Sequence, residues 1–112
     1  MLGPISEPDW KIFKPVREQA LERFCERVLA ETERIRADAG KRQHERYIAI
    51  YRLLQERDKE LEMAFDHLRR STALVQLANF RFLGLVTDEE YMRFSAPTRE
   101  IIDRFGRARS VR

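Results

Sequence analysis

Two histidines, His44 and His67, and one cysteine, Cys25, are the side chains of this chain best suited to bind a soft metal or act as base or nucleophile near neutral pH. Neither histidine has a glutamate three positions before it, so the Glu-x-x-His signature of di-iron bundles is missing. There is no His-Glu-x-x-His zinc pattern and no cysteine pair. His67 adjoins Asp66, but neighbouring residues on a helix point to different faces. Both histidines read as surface or boundary residues, and Cys25, inside an apolar stretch, reads as a buried inert thiol. No glycine-rich turn joins a strand to a helix, so no phosphate cradle is present. The 19 acidic residues fit solvated helix faces. We therefore assign no catalytic, metal or cofactor-binding residue, and expect a protein without enzymatic activity.

Arginine offers a second chemistry, phosphate contact. The chain carries 18 Arg against four Lys, a net charge of +3 and a pI of about 9.3. Arg104, Arg107, Arg109 and Arg112 lie in an acid-free tail and are the nucleic-acid candidates. Taking those four from the 22 basic residues leaves 18 against 19 acidic ones, a body close to neutral. Its charges alternate, as in Arg17-Glu18, Glu22-Arg23, Glu26-Arg27 and Glu33-Arg34, a pattern of local ion pairs. Arginine-mediated nucleic-acid association is thus an alternative. A third chemistry is a small-molecule cleft between helices, lined by Trp10, Tyr47 and Tyr51.

The elements that carry these residues are helical throughout. Tyr47, Leu54, Leu61, Leu68, Val75 and Phe82 recur every seven positions, two helical turns apart. The uninterrupted phase predicts one long helix from just after Gly40 to Gly84, with a break at Ser71-Thr72 as the alternative and Arg57 and Asp58 as a polar break in its seam. A buried Arg57–Asp58 pair that sets register is the sharper form of that expectation. Before it, the apolar pattern of Trp10, Phe13, Val16, Ala20, Leu21, Phe24, Cys25, Val28, Leu29, Thr32 and Ile35 keeps spacings of three and four, which predicts an amphipathic helix. Ser6-Glu7-Pro8-Asp9 supplies its start, and Pro15 predicts a kink or break. Gly40 reads as a left-handed stop. Thr87-Asp88-Glu89-Glu90 is a capping box, with Val86 and Tyr91 as its hydrophobic staple. Ser95-Ala96-Pro97 restarts the last helix and Gly106 ends it.

Leu74, Leu77 and the run from Phe82 through Leu83, Gly84, Leu85, Val86, Thr87, Asp88, Glu89 and Glu90 to Tyr91 resemble the short C-terminal (SHOCT) helical hairpin of bacterial proteins. The likeness spans residues 74–105, about a quarter of the chain. It implies an interaction or oligomerisation element without chemistry.

Short turns at Gly40 and Gly84 make neighbouring helices antiparallel. The expected fold is all-α: a long antiparallel helical hairpin plus a short C-terminal helix, with a three-helix bundle at one end. Residues 1–112 form a single domain in which 1–5 and 107–112 are flexible. Trp10, Phe13, Phe65, Leu68, Ile101 and Phe105 would fill the bundle core. The other end has two helices only, yet carries Tyr47, Ile48, Ile50, Tyr51 and Leu54. Two helices cannot enclose a core, so these five residues are the self-association candidates, and a homodimer is expected, with another protein as the alternative partner. No segment reaches the ~20 apolar residues of a membrane span. The first residues lack a basic stretch followed by an apolar one, and one cysteine allows no intrachain disulfide, so a cytoplasmic location is expected.

Overall fold

The computed structural model describes residues 3–110, with side chains through 108. Five helices follow in order: α1 (Glu7–Arg36), α2 (Gln43–Phe65), α3 (Ala73–Phe82), α4 (Asp88–Met92) and α5 (Ala96–Ser110). The described residues contain no strand. The molecule is elongated, 53 × 30 × 25 Å, because α1 and α2 form an antiparallel hairpin whose tip extends beyond the packed end. At that end α3 packs on α1, α2 and α5.

Local chemistry sets most of the boundaries. The Ser6 hydroxyl accepts from the Asp9 N–H, and α1 runs on without a break. Pro15 lies inside it on an exposed position. The Thr87–Glu90 capping box closes in both directions, at 2.9 and 3.1 Å, and the staple residues Val86 and Tyr91 are both buried. Gly84 adopts φ +71°, the left-handed stop that ends α3. Gly40 does not share that conformation. It sits in a turn whose N–H donates to Asp38 Oδ1 at 3.1 Å, and α1 has already ended at Arg36. Gly106 is passed through by α5, which continues to Ser110.

The expected single helix from 43 to 84 is two helices. Residues 66–72 leave the helix, with Asp66 extended and His67 in the left-handed region at φ 60°. Side chains stabilise the break. Gln76 Nε2 donates to the Asp66 carbonyl at 2.6 Å, and the Thr72 hydroxyl lies 2.8 Å from the His67 carbonyl. The break leaves the sevenfold count intact because it occupies seven residues itself. It also turns the inferred seam outward. Leu68, Val75 and Phe82 are exposed, as are Tyr47 and Leu54, and only Leu61 is half-buried. α3 buries Ala73, Leu74, Gln76, Leu77, Ala78 and Phe80.

The core is aromatic. Phe80 sits between Phe13 (6.1 Å between ring centroids) and Phe65 (4.7 Å), Trp10 stacks on Phe13 at 5.9 Å, and Phe24 meets Phe65 edge-on at 6.0 Å. Ile101 and Phe105 pack against this cluster as expected, whereas Leu68 lies in the exposed break. Ile5, read as part of a loose lead-in, is buried; its N–H donates to the Arg70 carbonyl, and the Arg70 guanidinium returns two bonds to its own.

Much of the arginine serves helix ends. A helix leaves its last carbonyls without partners, and a planar guanidinium fork suits them. Arg46 donates to the Arg36 carbonyl at the end of α1, and Arg17 to the Phe65 carbonyl at the end of α2. Arg27 takes the Leu83 and Gly84 carbonyls after α3 (2.7 and 2.9 Å), and Arg99 the Phe94 carbonyl after α4. Arg23 reaches the Leu85 carbonyl at 2.8 Å and holds Glu90 in a bidentate pair at 2.6 and 3.0 Å. That pairing, with the Thr87 bonds, outweighs burial and lowers the Glu90 pKa.

Asp9 performs the complementary task at an N-terminus. It projects from α1 onto the start of α5, where Oδ1 accepts the Ser95 N–H at 3.0 Å and Oδ2 accepts the Ser95 and Thr98 hydroxyls at 2.6 Å each. Its residue is only 2% exposed. Burial pushes its pKa upward, but the bonds from Ser95, Thr98 and Ser6 outweigh that and leave it below the ordinary value.

Candidate self-association surface

Between Ala20 and Phe65 no residue is buried. The hairpin's own contact uses a half-buried stripe on α2: Arg46, Ile50, Leu53, Arg57, Leu61 and Ala64. Spacings of three and four put these on one face, and Arg46 and Arg57 both bond to α1. This contact leaves the hairpin with two unlike sides.

One side is polar. Arg57 grips Glu31 across the helices through Nε and Nη2, at 3.1 and 3.0 Å, and reaches Glu60 at 2.9 Å. The guanidinium holds the Glu31 carboxyl below its usual range. Above this pair lies a groove of about 420 Å³ bordered by Arg27, Leu83 and Leu85. The inferred Arg57–Asp58 pair is therefore replaced by Arg57–Glu31. The long Arg57 side chain is drawn across the hairpin to Glu31 and along its own helix to Glu60.

The opposite side is apolar. Leu29 (63% exposed), Tyr47 (68%), Tyr51 (56%) and Leu54 (42%) line it. A shallow groove of about 200 Å³ runs between the two helices here, with Cys25 and Leu29 on one bank and Leu54, Asp58 and Leu61 on the other. Of the five self-association candidates, Tyr47, Tyr51 and Leu54 share this exposed strip. Ile50 falls on the stripe turned to α1, and Ile48 is half-buried. The sequence reading missed Leu29, the contribution of α1. The signal was present, since Leu29 extends the apolar pattern one step beyond the Phe24–Val28 stripe. Cys25 is exposed on the same strip and not buried as expected. It occupies the shoulder of α1, where two helices leave nothing to cover it.

The remaining candidates are dispersed. Trp10 stacks in the core at the packed end, while Tyr47 and Tyr51 lie toward the hairpin tip, so the three do not form one cleft. Arg104 pairs with Glu100 on its own helix at 3.0 Å. Arg107 borders a groove of about 440 Å³ between α3 and α5, together with Arg81 and Asp103. The Arg109 side chain and Arg112 lie outside the described residues. Among the described residues no group of three His, Cys, Asp or Glu side chains is placed to hold a metal ion, and no helix is long and apolar enough to cross a membrane. Comparison with known protein families, with curated proteins and with solved structures finds no match to this chain.

Proposed function

We propose that this chain is a self-associating helical protein whose hairpin is covered by a second copy of itself. The carrying observation is the strip of Leu29, Tyr47, Tyr51 and Leu54, exposed along the part of the hairpin between Ala20 and Phe65, which contains no buried residue. Two such hairpins, apolar sides together, make a four-helix bundle in which each strip acquires the cover it lacks. The SHOCT-like character of residues 74–105, an interaction element in that family, points the same way.

The size of the strip sets the strength. From residue 18 to residue 36 a helix rises ~27 Å, and two helices side by side are ~20 Å wide, giving roughly 500 Å² per copy. That lies below the ~800 Å² per partner of a standard stable interface, so association is expected in the micromolar range or weaker. Sedimentation velocity from about 5 to about 500 µM should show a reversible monomer–dimer equilibrium. Tyr51→Glu places a carboxylate from each copy in the contact and should weaken it by at least ~10-fold. A wild-type protein that stays monomeric over that range, or a Tyr51→Glu variant that dimerises as well as wild type, would rule the proposal out.

A further inference from the structure

The charges flanking the apolar strip are arranged with opposite signs at its two ends. On α1, Glu18 stands seven residues before Cys25 and Arg36 seven residues after Leu29, so Glu18, Cys25, Leu29 and Arg36 fall within about 40° of one another around the helix. All four are exposed. The pattern is symmetrical about residue 27, with acid and base exchanged. Glu18 also lies 3.5 Å from its neighbour Arg17. On α2, the exposed Asp58 follows Leu54 by four residues and Tyr51 precedes it by three, while His44, Arg42 and Lys41 gather at the tip.

The two patterns are in step. Arg46 reaches Arg36 and Arg17 reaches Phe65 across the hairpin. Residues whose numbers sum to about 82 therefore lie level, at an equal rise of ~1.5 Å per residue along both helices. Residue 27 then lies level with Leu54. One line drawn across the hairpin passes through both centres.

A two-fold contact requires that if residue i meets j, then j meets i. We infer that the second copy is inverted, tip against base, about a two-fold axis running across the hairpin at the level of Leu54. This rests on the self-association reading above. In that arrangement α1 meets α1 and α2 meets α2, all neighbours antiparallel. Leu54 faces Leu54 of the second copy, and Cys25 faces Leu29 of the second copy. Glu18 faces Arg36 of the second copy, twice by symmetry, and Tyr51 stands opposite Asp58 of the second copy. The other two-fold solution, with the axis along the hairpin, sets tip against tip. It would bring Arg36 near Lys41 of the second copy, where Arg42 is already paired with Glu45, and set Glu18 near Glu62 and Asp66 of the second copy. Like charges so placed disfavour that alternative.

Charge reversal separates these cases. Glu18 and Arg36 of one chain lie ~27 Å apart along α1, too far to pair within the molecule. Both are exposed, so the variants should keep the fold, as circular dichroism would verify. Sedimentation should show the Glu18→Arg and Arg36→Glu single variants associating at least ~10-fold more weakly, each introducing two like-charge contacts. The double variant should return to within about threefold of wild type, since the exchanged pair has the same sign relation. Single reversals that leave association unchanged or strengthen it, in a protein still disrupted by Tyr51→Glu, would overturn the inverted arrangement while leaving the apolar strip as the contact. Association that Tyr51→Glu does not disturb would overturn both.

Discussion

Asp9 gives the most stringent test of how the packed end is held together. Its carboxylate caps α5 from a helix 86 positions away, accepting one backbone N–H and two hydroxyls while almost fully enclosed. Asp9→Ala removes an N-cap acceptor, an effect of about 1 kcal/mol. It also removes two hydrogen bonds to a charged group, each of order 1.5 kcal/mol or more. Ser95 is exposed and can turn to water, whereas Thr98 is buried and is left without that acceptor. The total expected loss is about 3 kcal/mol, or a fall in melting temperature of ~10–15 °C for a domain of this size. Urea denaturation followed by circular dichroism measures it. The pH dependence adds a sharper check. Because the folded pKa lies below the ordinary value of 3.8, the carboxylate's contribution is complete above about pH 5 and is lost as pH falls through that value toward the folded pKa. Asp9→Asn keeps the shape but does not titrate. The stability gap between wild type and Asp9→Asn should therefore be constant from pH 5 to 7 and narrow below pH 4. A gap that does not change with pH, or an Asp9→Ala cost under ~1 kcal/mol, would refute the assignment of Asp9 as the charged cap of α5.

Two further substitutions test the helix ends. Arg23→Ala leaves Glu90, with 9% of its side chain exposed, without its bidentate partner and the Leu85 carbonyl without a donor. A loss of ~2–3 kcal/mol in urea is expected, less than for a fully buried pair because Arg23 is itself 30% exposed; a loss under ~0.5 kcal/mol would place the stability of the α3–α4 turn elsewhere. Gly84→Ala must hold φ +71° with a Cβ 3.4 Å from the Arg27 guanidinium, so ~1–2 kcal/mol should be lost, and Gly84→Asn should lose less. Equal stability of Gly84→Ala and wild type would contradict the left-handed stop.

Features decided within a few residues were legible in the sequence. Ser6 capping α1, the Thr87–Glu90 box with its staple and the Gly84 stop each depend on groups one to five positions apart. Their geometry follows from the order of residues alone. The helical class follows for the same reason, since a period near 3.6 is a property of the chain and needs no partner. The apolar hairpin end with Tyr47, Tyr51 and Leu54 was visible too, because two helices cannot hide so much apolar surface whichever way they turn.

Tertiary structure decided the rest. Periodicity says that a helix has an apolar stripe, but the stripe that faces inward is chosen by the neighbour. α1 took the stripe through Ile50, Leu53 and Leu61, and so left the more regular sevenfold seam outside. The break at 66–72 was legible only as the alternative at Ser71-Thr72, because the sevenfold count runs through it, and it is held by Gln76 and Arg17, which lie outside it. Arg17, Arg23, Arg27 and Asp9 looked like ordinary solvated charges along one helix. They became caps and clamps only when folding brought α2 through α5 against them. A hydrogen bond across 48 to 89 positions has no local signature, and its energy exists only once the chain has closed that distance.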